Sequence, residues 1–144
     1  MPGGPGVHSP LKCFTLLAIL LLVGAAPALA ADFDGKKPLQ CFVGEIQECE
    51  PARECSRFTA AEVDLPEIVH IDFKTKELRG VTAEGRQVRT PVRSITKEGG
   101  SVSLQGHENG RSFSIVVDAV TGKLTGAATE PGGGFLVFGT CVAR

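Results

Sequence analysis

The 144-residue chain contains no tryptophan and no tyrosine, and its single methionine is Met1. Of the eight phenylalanines, seven follow residue 30, most of them inside apolar runs that read as strands. Lys and Arg are scattered among Asp and Glu without forming a basic run. Nucleic-acid binding needs clustered cations to displace counterions, and single strands also need exposed rings on which to stack. That class of partner is excluded. Other signatures are missing too. There is no Cys-x-x-Cys pair, no Gly-x-Ser-x-Gly elbow, no dinucleotide fingerprint and no internal repeat of 20–50 residues.

The first thirty residues read as a signal peptide. Lys12 is their only Lys or Arg, and it precedes the apolar run "CFTLLAILLLV" and then "GAAPALA". Small residues at Ala28 and Ala30 fit a cleavage site after Ala30. An uncleaved anchor is the competing reading, because ~20 apolar residues can span a bilayer. Pro27 and the alanine-rich end favour cleavage, which leaves no membrane span. Cys13 lies before the apolar run and is not placed as a lipoprotein acceptor. Removing residues 1–30 takes away one cation and no anion, so the formal net charge of −1 becomes −2. The remaining 114 residues fit one domain. We read residues 31–38 as a flexible polar leader and residues 39–144 as a single β-barrel-like domain.

Four cysteines remain: Cys41, Cys49, Cys55 and Cys141. An even number in an exported small domain reads as two disulfides, with three possible pairings. "CFVGEIQEC" reads as a strand, and eight steps at ~3.3 Å carry Cys49 out of reach of Cys41. "CEPAREC" folds back through Pro51, which brings Cys49 to Cys55 and leaves Cys41 for Cys141. The second bridge ties the first strand to the last and favours a closed barrel.

Downstream the pattern is one of short strands and turns. "FTAAEVDLPE" carries a capping box, Thr59 with Glu62. Pro66 limits it to one short helical turn, expected to cover one end of the core or the outside of the last strand. In "EIVHIDF", Val69, Ile71 and Phe73 share one face while Ile68, His70 and Asp72 share the other. "LQGHENGRSFSIVVDAVTGKLTG" (residues 104–126) reads as two successive hairpins, with Leu104, Phe113, Ile115 and Val117 inward and Ser112, Ser114 and Asp118 outward. Asn109–Gly110 suits a tight turn with positive φ, and Gly122 suits a type I turn with a bulge. The fold class expected is all-β: an antiparallel meander of about eight strands, a closed barrel or compact sandwich, with one short helical turn.

The pieces "LQGxENGRSFSIVVDxxTGKLTG" and "FxVFGxC" resemble small exported proteins of Gram-negative bacteria with four cysteines and a C-terminal Phe-Gly-x-Cys. The resemblance runs from about Cys41 to the C-terminus. It implies periplasmic residence and a β-rich fold, and it transfers no catalytic residues.

No constellation of residues amounts to an active site. His70 and Asp72 have the spacing of two metal ligands on one strand face, but a zinc site needs three or four. A third ligand would have to come from His107, Glu108 or another carboxylate. Ser112 and Ser114 alternate with core residues and lack an elbow. "EGGS" and "EPGGG" lack the following helix of a phosphate loop. Asp118 with Thr121 lacks the ladder of acids of a calcium loop. We therefore expect no enzyme, no cofactor and no metal.

Two surfaces stand out. In "FLVFGTC", Phe135 and Val137 lie on one face and Leu136 and Phe138 on the other. The polar hairpin tips around His107–Gly110 and Lys97–Gly100 form the second, with His107, Glu108, Asn109 and Arg111 as the candidate recognition loop. The expected function is that of a monomeric, exported, non-enzymatic module that binds a protein or cell-envelope component through loops or a sheet edge. A carrier of a small apolar ligand is the alternative, and an enzyme inhibitor is a further one by architectural analogy to lysozyme inhibitors alone. The inward Phe, Val, Ile and Leu predict a filled interior.

Overall fold

A computed structural model describes residues 1, 3–4 and 32–144. The signal-peptide reading lies outside these residues.

Among the described residues ten strands form one antiparallel sheet: β1 (Leu39–Cys49), β2 (Ser56–Phe58), β3 (Ile68–Asp72), β4 (Glu77–Val81), β5 (Gln87–Pro91), β6 (Ser94–Glu98), β7 (Ser101–Glu108), β8 (Arg111–Asp118), β9 (Lys123–Glu130) and β10 (Gly133–Ala143). Their spatial order is β5-β4-β3-β1-β10-β9-β8-β7-β6, with β2 added beside β1. The sheet curls into a half-barrel. Two meanders, β3 to β5 and β6 to β10, are joined through β1, which lies between β3 and β10.

This order makes an open half-barrel in place of the closed barrel expected from the terminal disulfide. The disulfides pair as expected, Cys41 with Cys141 and Cys49 with Cys55. The first bridge does place the first and last strands side by side, with Cys41 directly opposite Cys141. Those strands are at the centre of the sheet, however, so their adjacency closes nothing. The free edges belong to β5 and β6 in mid-chain. These two strands are almost one run, bent at Val92–Arg93. The first half pairs with β4 and the second with β7. At the bend, Val92 donates its N–H to the Lys76 carbonyl (2.8 Å) and Arg93 donates to the Gln105 carbonyl (2.7 Å). Beyond this point β5 and β7 have no ladder between them, and Thr90 Oγ1 donates to Glu108 Oε2 at 2.7 Å across the gap. The half-barrel is stitched at one end and splayed at the other.

A bulge shapes the splayed end. The β1–β10 register slips between Val43 and Glu45, at Gly44. Before it β1 also pairs with β3, and after it with β2. An extra residue reverses side-chain alternation, so Ile46 rather than Glu45 turns inward and is fully buried. The chain between β2 and β3 runs alongside, and Val43 donates its N–H to the Glu67 carbonyl at 2.8 Å. Here the capping box forms as expected. Thr59 donates its N–H to Glu62 Oε2 (2.7 Å), and Glu62 donates its N–H to Thr59 Oγ1 (3.4 Å). It starts a single 3-10 turn, Ala61–Val63.

The turns also follow their residue chemistry. Asn109 and Gly110 have φ of +51° and +80° in the two-residue β7–β8 connection. Gly122 has φ of +71° and donates its N–H to the Asp118 carbonyl at 3.0 Å, as a bulged type I turn requires. Asp118 Oδ1 accepts from the Thr121 N–H (2.7 Å), the Thr121 hydroxyl (2.9 Å) and the Val120 N–H (3.0 Å). The Thr121 backbone bond leads in holding this carboxyl below its ordinary range.

The core occupies the stitched end. Leu39, Cys41, Ile71, Leu78, Val92, Val102, Leu104, Val117, Leu124 and Cys141 form one buried cluster. Residues 32–38 run past it. Phe33 packs on the cluster and donates its N–H to the Ala119 carbonyl at 3.3 Å.

Candidate functional site

The inward faces of several strands change size from one end of the half-barrel to the other. Along β9 the inward positions are Leu124, Gly126 and Ala128. Along β4, Leu78 gives way to Gly80; along β7, Leu104 gives way to Gly106. At the large-residue level the interior is packed. Two residues further along each strand it is not, and a cavity of about 300 Å³ remains. Cys41, Ile71, Leu78 and Leu124 reach it from the core; Val43, Val69, Val88, Phe113, Ile115, Gly126, Ala128 and Val137 line its sides. A filled interior was expected from the number of apolar inward residues. The cavity overturns that expectation, because the residues that stand in the second layer are too small.

Not every glycine leaves space. A Cβ on Gly80 would meet Pro66 Cβ at 2.5 Å, and one on Gly106 would meet the Phe113 ring at 2.5 Å and the Pro91 carbonyl at 2.8 Å. These two glycines admit groups that shape the cavity wall. At Gly126 a Cβ would meet nothing closer than Ile115 Cγ1 at 3.5 Å, an ordinary contact. Gly106→Val should therefore displace the Phe113 ring from the splayed seam. We expect a loss of roughly 1–3 kcal/mol, measured by urea unfolding.

The mouth is polar. Arg86, Thr90, Glu108, Asn109 and Arg111 stand around it with Leu65 and Pro66. Arg86, from the β4–β5 turn, donates through Nε (3.0 Å) and Nη2 (2.6 Å) to Asp64 Oδ2, and through Nη2 to the Asp64 carbonyl (2.9 Å). These bonds hold the segment after the 3-10 turn against the β4–β5 turn. The Arg86 guanidinium, followed by the Thr82 hydroxyl, keeps the Asp64 carboxyl below its usual range. Arg111 pairs with Glu130 across β8 and β9, and its guanidinium carbon lies 5.5 Å from the centre of the Phe135 ring, within cation–π range.

The expected recognition loop divides on this geometry. Glu108, Asn109 and Arg111 stand at the cavity mouth, while His107 is exposed on the outside of β7, opposite Ser112. The Lys97–Gly100 tip is separate from them. It lies at the other end of β7, where Lys97 reaches Gly35. Nor does the 3-10 turn cover the outside of β10. Leu136 and Phe138 are each 37% exposed there, whereas Leu65 and Pro66 face the cavity.

His70 and Asp72 do share the outer face of β3, where His70 lies opposite Gln40 and Arg79. Asp72 Oδ1 accepts N–H groups from Lys74 (2.9 Å) and Thr75 (3.1 Å) in the following turn. The Thr75 bond leads in holding its carboxyl low. Among the described residues no three His, Cys, Asp or Glu side chains come together as a metal site would require. Ser112 and Ser114 lie on the outer face of β8.

Sequence reasoning missed the apolar wall. The signal was present as Gly and Ala at successive inward positions of β9, which were read as strand residues without regard to their volume. Comparison with family models, curated proteins and solved structures gives no match for this chain.

Proposed function

We propose that the protein is a non-enzymatic carrier or sensor of a small, mainly apolar molecule, held in the open end of the half-barrel. The cavity of about 300 Å³ carries this reading. It falls at the small end of the range for ligand sites, has apolar sides, and meets solvent through a few convergent polar groups. Its walls belong to strands fixed by the sheet and the Cys41–Cys141 bridge, so little ordering opposes binding.

We place the protein outside the cytoplasm, in the periplasm or secreted. Two disulfides support that address, as does the apolar run of residues 13–23 in the sequence. No helix among the described residues is long and apolar enough to cross a membrane. The resemblance to small exported Gram-negative proteins agrees with it, and a cell-envelope component is then a natural source of the ligand. Binding of a protein through the outer face, where Leu136 and Phe138 remain exposed, is the second reading.

Gly126→Val separates the two. A Cβ at this position meets its neighbours at ordinary distances, Ile115 Cγ1 at 3.5 Å and Val137 Cβ at 3.6 Å, and valine suits a strand better than glycine. Stability should be kept or slightly raised while ligand retention is lost. Native mass spectrometry of oxidised protein from an exporting host should find a small adduct on the parent chain and none on G126V. A stoichiometric protein partner retained equally by both would favour the outer face instead.

A further inference from the structure

We propose that the ligand carries a protonated amine, and that Glu108 receives it at the mouth of the cavity. The inference rests on the apolar-ligand reading above and adds the chemistry of the head group.

Both guanidinium groups at the mouth already face carboxylates. Arg86 holds Asp64 through one carboxylate oxygen and the backbone carbonyl. Arg111 is paired with Glu130 and lies over Phe135. The remaining charge on the rim is Glu108. It makes no ion pair within 4 Å with any described residue, although Arg111 is its cross-strand neighbour. One oxygen accepts the Thr90 hydroxyl at 2.7 Å across the splayed seam. A carboxylate offers about four acceptor positions, so most of its capacity is left for a donor.

A molecule whose apolar part reaches Val69, Ile115 and Val137 must bring its head past this carboxylate. An anionic head would be repelled by Glu108, and would have to compete with Asp64 or Glu130 for the Arg86 or Arg111 guanidinium. A neutral hydroxyl gains one ordinary hydrogen bond. An ammonium gains a charge-assisted bond to Glu108 and leaves both existing ion pairs intact. The asymmetry of the rim thus selects for cationic nitrogen, with Thr90 holding the carboxylate in place as a positioning residue.

The test uses the oxidised full-length protein, with three probes that share one eight-carbon tail: n-octylamine, n-octanol and octanoate. Binding is followed near neutral pH by titration calorimetry. Octylamine should bind at least tenfold more tightly than either of the others. Glu108→Gln, which keeps an acceptor for Thr90, should abolish that preference while leaving octanol affinity within about twofold. If octanol or octanoate binds as well as octylamine, the head-group assignment is wrong and the cavity reading stands. Binding of none of the three would overturn both. An amine preference undiminished in E108Q would place the cationic site elsewhere. The comparison of the three probes on the parent protein decides the matter even if the variant fails to fold.

Discussion

Val117→Asp should abolish folding or remove most of the protein's stability. Val117 is completely buried on β8, opposite Val102 on β7 and Leu124 on β9, within a cluster of apolar residues and the Cys41–Cys141 bridge. An aspartate there must either bury an unpaired charge or protonate at considerable cost, a penalty of several kcal/mol. Domains of this size have only about 5–15 kcal/mol to lose. Ile115→Asp, on the same inward face, gives a contrasting outcome. That side chain lines the cavity, where water from the mouth can solvate a carboxylate, so the variant should fold with a clearly smaller loss. Thermal and urea unfolding followed by circular dichroism would rank the two. Equal losses, or the reverse order, would refute a packed end and an empty end.

Removing the long disulfide should have the next largest effect. Cys41 and Cys141 are 100 residues apart, whereas Cys49 and Cys55 are six apart. Closing a loop of that length restrains the unfolded chain by about 4.7 kcal/mol in the chain-entropy description, against about 2 kcal/mol for the short one. The paired replacement Cys41→Ser with Cys141→Ser should therefore cost roughly twice as much as Cys49→Ser with Cys55→Ser. Burial sharpens the difference. Both members of the long bridge are buried in the core cluster, and the serine hydroxyls would lie in apolar surroundings. A short-bridge variant that proved the less stable would show that the loop at Pro51 matters more to the fold than the tie between β1 and β10.

The local structure was legible because residue chemistry determines it directly. Alternation placed Val69, Ile71 and Phe73 on one face and Phe113, Ile115 and Val117 on another. Asn109–Gly110 and Gly122 marked turns that need positive φ, and Thr59 with Glu62 marked the capping box. The disulfide pairing followed from the reach of a strand. What failed depended on relations between distant segments. Adjacency of the first and last strands was equated with closure, but β1 and β10 occupy the centre of the sheet and the seam falls at Val92–Arg93, where nothing local announces it. Strand number was undercounted because β5 and β6 form one bent run and β2 has only three residues. The cavity stayed hidden for another reason. The number of apolar residues on the inward faces says nothing of their sizes layer by layer. Gly126 and Ala128 occupy inward positions as properly as Leu124 does, yet fill almost nothing. At the mouth, Glu108, Asn109 and Arg111 were singled out as an exposed loop, and the sequence held no sign that they bordered an interior.

The central position of β1 also fixes an order of events in time. Most of the sheet is built from hairpins that close within a few residues, as β7–β8 and β8–β9 do. The pairing of β1 with β10 is instead the most distant in the chain, and such contacts make folding slow. Until it forms, one whole edge of β1 from Leu39 to Cys49 has no partner, and the two meanders are connected only by chain. Cys49 can reach Cys55 locally at once, while Cys41 must wait for Cys141 to arrive at the far end of the chain. During that interval Cys41 is a free thiol only eight residues from Cys49, beside a newly formed disulfide that it can attack by exchange. The misfolded species to look for during oxidative refolding is accordingly the one that joins Cys41 to Cys49 or Cys55, and a disulfide isomerase should speed the final step far more than the first.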